Sequence, residues 1–239
     1  MADEPRDGCA TGQGTAVSAW HRLLERLGVR LTRAGAHESQ GRWVVIDVES
    51  TGLDPRRDRL VAIAGVALHF TDGSPHVVGD DSFEVVLQAA LPGFDRDNIL
   101  LHGVGVGAQR RGVAPAEALA AFERWAGPAL RAGFHVDFDR TLIERAARTA
   151  GLTAGNAGRS RWLDLAPLAA ATHPEVRARA LDEWLEHFGI PCLARHEAVA
   201  DTLATAELLM RMWPALRRAG VQDAATAQAL ARNQRWLQP

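Results

Sequence analysis

The run Trp43-Val-Val-Ile-Asp47-Val-Glu49 constrains this chain more than any other segment. Trp43, Val44, Val45 and Ile46 are the residues of a buried strand, apolar and rich in β-branched side chains. The run nevertheless ends in two acids two positions apart, and the period of two along a strand sends both carboxylates to one face. Like charges held together repel unless something positive sits between them. An isolated Asp-x-Glu fits a solvated strand end as well. Here, however, Ser50-Thr51-Gly52-Leu53 follows at once, and a glycine lets a ligand approach the backbone closely.

The rest of the chain supplies elements around this strand. Residues 60–70 and 77–87 read as two more strands, joined as a hairpin by the turn signal Thr71-Asp-Gly-Ser-Pro75. Val17, Trp20, Leu24, Leu27 and Leu31 recur at helical steps ahead of the first strand. Leu119, Phe122 and Trp125 mark a helix over 114–126. A short strand is expected at 132–136, a helix over 141–150 stopped by Gly151, and a loop over 152–161. Leu181, Trp184, Leu185 and Phe188 lie at i, i+3, i+4 and i+7, before Gly189 and Pro191 end the helix. Val199, Leu203, Ala206, Met210 and Trp213 repeat that spacing, and weaker periodicity extends over 223–237. Strands followed by helices interleaved with short strands predict an α/β fold, a mixed sheet with helices on its faces.

Length and composition fit one α/β domain with terminal additions. The expected division is a disordered lead-in over 1–13, a helical extension over 14–36, the main domain over 40–216 and a helical tail over 217–239. The chain is 47% hydrophobic, and no apolar run reaches the roughly 18 residues of a membrane span. The only cysteines, Cys9 and Cys192, match no zinc or redox spacing, which fits a cytoplasmic protein with no membrane partner. No lysine occurs, and the 27 basic residues are all arginine. A net charge of −2 argues against an electrostatic clamp on duplex DNA, so any nucleic acid is held locally.

Further acids stand downstream in recognisable settings. Asp47-Val-Glu49-Ser-Thr-Gly-Leu53 resembles the first motif of the DnaQ-like exonucleases, the superfamily of the polymerase III epsilon proofreading subunit, RNase T and oligoribonuclease. Phe134-His135-Val136-Asp137-Phe138-Asp139 resembles the second motif, usually His-Asn-x-x-Phe-Asp. Arg195-His196-Glu-Ala-Val-Ala-Asp201 resembles the third, His-x4-Asp, of the DEDDh branch. Asn98-Ile-Leu-Leu-His102-Gly103 is similar to the family's His-Gly segment beside the 3′ nucleotide. The resemblance covers residues 43–212 in family order; Phe134-His135 departs from the usual His-Asn pair. Five helical residues rotate by about 500°, so His196 and Asp201 do not share a helix face. His196 is therefore expected in the loop before the helix that carries Asp201.

The resemblance implies a ribonuclease H-like fold and a metal-dependent 3′→5′ exonuclease of the proofreading or repair type. Asp47, Glu49, Asp139 and Asp201 would hold two divalent cations, and His196 would be the general base. Oxygen donors without a Cys and His cluster select Mg²⁺ or Mn²⁺. Ser50, Thr51, Gly52 and Leu53 would seat the terminal nucleotide, with His102 and Phe138 nearby; simple core packing is the other reading of Leu53 and Phe138. Partners would be single-stranded 3′ ends, DNA favoured over RNA, and a DNA polymerase subunit. A non-catalytic polymerase-associated module is the alternative from another class. Arg56, Arg57 and Arg59 are read as a solvated turn or as phosphate contacts. Gly103-Val-Gly105-Val-Gly107 lacks the G-x-G-x-x-G spacing of a dinucleotide loop.

Overall fold

The computed structural model describes residues 41–89, 104–152, 161–192 and 197–237. The periodic segment from Val17, His102, His196 and most of the 152–161 loop lie outside the described residues. Strands β1 (Arg42–Ser50), β2 (Leu60–Thr71) and β3 (Ser74–Val86) lead into helices α1 (Val106–Arg110) and α2 (Pro115–Ala126). Then come β4 (Leu130–Gly133), α3 (Asp137–Thr149), β5 (Trp162–Asp164) and α4 (Leu165–Thr172). Helices α5 (Leu181–His187), α6 (Ala198–Arg218) and α7 (Ala224–Leu237) complete the order.

The sheet has five strands in the order β3-β2-β1-β4-β5. β1, β2 and β3 pair antiparallel, whereas β4 pairs parallel to β1 and to β5. The β2–β3 hairpin turns on Asp72 and Gly73, both at positive φ (50° and 74°), the pairing that a two-residue turn of matching twist requires. Alternation along β1 divides the core. Trp43 and Val45 join the cluster built with α4, α6 and α7, and Val44, Ile46 and Val48 join the one built with α2 and α3.

Three sequence expectations shift. The strand expected at 132–136 is Leu130–Gly133, because His135 adopts φ 55° and turns the chain directly into α3. Helix α3 consequently starts at Asp137 rather than at residue 141. The pair β5–α4 was not anticipated, since three strand residues carry no readable period; Asp164 caps α4 by accepting the Ala166 N–H at 3.1 Å.

The three antiparallel strands are tied together by one carboxylate. The β2–β3 register shifts between Val66 and Ala67, and the chain looped out opposite contains Asp81. Asp81 accepts from Arg42 Nε and Nη2 at 2.7 and 2.6 Å, from Trp125 Nε1 at 3.0 Å, and lies 2.8 Å from His69 Nε2. Burial alone would raise its pKa, but Arg42 and His69 outweigh burial and lower it. Trp125 in turn covers Gly65, where a Cβ would overlap the indole ring.

Asp81→Asn is expected to destabilise the protein by about 1–3 kcal/mol in urea melts at neutral pH, since it breaks charge-assisted bonds to half-buried groups. Because the pKa is depressed in the fold, this stabilisation exists above the ordinary carboxylate value and is lost as pH falls through the depressed one. The gap between wild type and variant should close in acid. Equal stability at pH 7 would show that the looped-out carboxylate does not hold the sheet together.

Candidate active site

β1 is longer than its parallel neighbour. Pairing with β4 is confined to Trp43–Val45 against Leu130–Ala132, while β1 continues to Ser50. Beyond that point the chain leaves β4 through Phe134 and His135, and the first turn of α3 crosses the gap. There the Asp139 carboxyl comes up to the Val48 backbone N–H, which, with its own N–H, favours its charged form. Val48 lies between Asp47 and Glu49, so Asp139 stands beside the paired acids of β1.

Asp47 and Glu49 extend the Trp43–Val45 alternation and therefore face the layer that contains α6. Helix α6 packs on β1 and β2. Near its C-terminus Trp213 meets Trp43 edge-on, ring centroids 5.6 Å apart, and its Nε1 donates to Gly73 O at 2.7 Å. Asp201 lies twelve helical residues back, about 18 Å at 1.5 Å per residue. Glu49 lies six strand residues on from Trp43, about 20 Å at 3.3 Å per residue. The two lengths are similar, which is the span an α6 running antiparallel to β1 would need to bring Asp201 over the end of the strand. Asp201 is only 6% exposed and accepts from Cys192 Sγ at 3.4 Å.

Asp47, Glu49 and Asp139 thus lie toward one end of β1, and Asp201 stands buried in the first turn of α6. Among the described residues, though, no three Asp, Glu, His or Cys side chains converge into a ready-made metal cage. The donor set does fit a hard cation, being oxygen throughout. Electrostatics agree. Asp139 is 5% exposed, and burial pushes its pKa up to about 8, with the negative charge of Asp164 adding to the rise and the two backbone N–H groups opposing it. A carboxyl so placed ionises readily only beside positive charge.

Asp164 is the residue that sequence reasoning missed. Buried at the end of β5, it caps α4 and also accepts the His135 N–H at 3.0 Å. Its signal was an Asp before Leu165-Ala-Pro167, an N-cap followed by proline in the first turn. His135, in place of the usual asparagine, keeps the left-handed conformation, which His and Asn tolerate better than most residues. Phe134 packs against the first core cluster.

The segment after Glu49 is a closed loop. Thr51 N–H donates to Arg59 O at 3.0 Å and Thr51 Oγ1 accepts the Arg59 N–H at 2.9 Å; Ser50 Oγ donates to Gly52 O. The space over Gly52 is taken by the Asp58 carboxylate, which also accepts the Asp54 N–H at 2.8 Å. Gly52 therefore admits a side chain of its own loop. Leu53 is 88% exposed and is not core, whereas Phe138 is partly buried against the second core cluster.

In chelator, stability should fall as pH rises. The fold keeps Asp139 protonated up to about 8, while the unfolded chain releases that proton near 3.8, so between these values the unfolded state binds fewer protons. One such proton gives a slope of at most about 1.4 kcal/mol per pH unit. Urea melts from pH 4.5 to 8 should show this decline, and Asp139→Asn should flatten it. Parallel profiles for the two proteins would contradict the assignment.

The RNase T family model, described as an exonuclease, matches residues 44–209. A DNA polymerase III PolC-type protein of Caldanaerobacter subterraneus subsp. tengcongensis is 27% identical over 184 residues, 77% of this chain and 12% of that protein. A DNA polymerase III subunit epsilon-like protein of Rhodobacter capsulatus is 30% identical over 182 residues, 75% of this chain and 25% of its own length. The chain therefore spans a quarter or less of these relatives. Among solved structures, E. coli exonuclease I in complex with a dT13 oligonucleotide superposes with a TM-score of 0.65 at 19% identity, over 76% of this chain and 43% of that one. That likeness shows the fold, a mixed sheet flanked by helices of the ribonuclease H-like kind. With the family model matched over well over half its length, the chain belongs to the RNase T exonuclease family.

Proposed function

We propose that this protein is a 3′→5′ exonuclease that removes nucleoside 5′-monophosphates from single-stranded nucleic acid, DNA in preference to RNA. The observation that carries the reading is the Asp139 carboxylate seated on the Val48 N–H, between the two acids of β1. A strand that buries hydrophobic residues and then presents Asp47 and Glu49 to a third, desolvated carboxyl is costly as a structural device alone.

Asp47, Glu49, Asp139 and Asp201 would hold two Mg²⁺ or Mn²⁺ ions. Bound there, the ions would offset the carboxylate charge and stabilise the oxygens of an in-line displacement at phosphorus. The chain's own residues supply the rest. His196 takes the proton from the attacking water, a task suited to a group titrating near neutrality. Leu53, exposed at the tip of its pinned loop, offers an apolar face to the terminal base, and base stacking of this kind tolerates sequence. Thr51 and the backbone around Gly52 orient the terminal nucleotide, with His102 and Phe138 nearby. The preference for DNA rests on the polymerase III relatives. Those relatives also favour a polymerase subunit as a partner.

Oligonucleotides of matched sequence, DNA and RNA, labelled at the 3′ or 5′ end, test the reading in Mg²⁺ or Mn²⁺. The 3′ label should appear as a mononucleotide at the first turnover, and the 5′ label should stay on a shrinking strand. EDTA should stop the reaction. Asp47→Ala should cost on the order of 10³-fold, the equivalent of several kcal/mol of lost charge stabilisation. His196→Ala should cost roughly 10²–10⁴-fold. Release of the 5′ label first would sink the polarity, faster digestion of RNA the DNA preference, and undiminished activity in both variants the residue roles.

A further inference from the structure

A cavity of about 670 Å³ opens beside the site just described, within the size range of small-molecule sites. Its floor is α3. Leu142, Ala146 and Thr149 line it, and they follow Asp139 at i+3, i+7 and i+10, one stripe of the helix. The cavity therefore runs along α3 from about 5 to about 15 Å beyond the buried acid. Thr51, of the pinned loop, lines its near side.

Two further features describe what would fill it. Leu60, Val61 and Leu87 make one wall apolar. Arg57, Arg59 and Arg145 also line the cavity, and none of them makes an ion pair with a carboxylate among the described residues. Gln109, only 2% exposed, borders it from α1 and is held there by Nε2 donating to Val104 O at 3.0 Å. The matching ligand has a flat apolar body and negative charge.

We propose that the cavity is a strand track, which holds a nucleotide upstream of the 3′ end. A base lies against Ala146, and the flanking phosphates meet Arg57, Arg59 and Arg145. With a net charge of −2 the chain has no general affinity for polyanions, and three clustered guanidinium groups supply it locally. This inference rests on the nuclease reading and adds to it a reason for length dependence.

Two measurements on the full chain separate the inference from that reading. The first is hydrolysis of a dinucleotide and of a 12-mer of the same base composition. For the 12-mer, Arg59→Gln/Arg145→Gln should raise KM about tenfold, with kcat changed less than twofold, and for the dinucleotide KM should change far less. Ala146→Phe, which fills the cavity without touching charge, should reproduce that length-specific loss. The second is fluorescence anisotropy of a labelled 12-mer in EDTA as a function of KCl. Each phosphate contact on a single strand contributes about 0.7 to the slope of log affinity against log salt, so the double variant should lose roughly 1.4. If KM rises equally for both substrates, or the salt slope is unchanged, the track is wrong while the nuclease stands. If wild type hydrolyses neither substrate, the nuclease reading falls and the salt slope still decides whether the cavity binds a strand.

Discussion

The approach of the Asp139 carboxyl to the Val48 N–H is the contact on which the candidate site depends. It exists because β1 outruns β4: the strands pair only through Val45 and Ala132, and the end of β1 is left for the first turn of α3 to meet. That turn delivers a third carboxyl to a strand that already presents two. Burial makes that carboxyl reluctant to ionise, and Asp164 adds to the reluctance. A site that accumulates negative groups in this way is stable with cations in it and strained without them.

The remaining architecture holds the two sides of that contact still. On the antiparallel side, Asp81 gathers Arg42, His69 and Trp125, so that β1, β2, β3 and α2 share one polar knot. On the other face, Trp213 packs against Trp43 and Phe70 and bonds to the hairpin turn at Gly73, which sets the direction of α6. That far end of α6 governs where Asp201 lies. Arg131, 1% exposed, is paired with Glu123 and stacked between Phe122 and Trp162, which joins α2 to the parallel strands. These charged groups of the core are therefore each paired across two or more elements, even where, like Arg131, they sit within a strand.

The loop after Glu49 shows how one residue type can serve two readings. Gly52 looked like room for a ligand, and the room is occupied by Asp58 of the same loop. The loop is then a rigid platform, closed by Thr51 and Arg59, with Leu53 held out at its tip. Behind that platform lies the arginine-rimmed cavity, so Thr51 stands between the acids and the proposed track. On the proposed reading, those three arginines would supply locally the positive charge that a chain of net charge −2 lacks overall.

Local order determined what the sequence alone could tell. The strand with its paired acids, the Asp72-Gly73 hairpin, and the helices that carry Leu119, Leu181 and Leu203 all follow from short-range period and turn chemistry, which need no partner to be read. The acids themselves were legible because their motifs stand in a family order. What only the tertiary structure decided was whatever depends on residues distant along the chain. Examples are the start of α3 at Asp137, set by a left-handed His135 whose N–H is held by Asp164; the short β5, which exists only through pairing with β4; and the buried Asp164 beside Asp139. The cavity along α3 belongs there too, since its walls come from segments a hundred residues apart. Periodicity reports which face of an element is apolar; only packing reports which other face it meets.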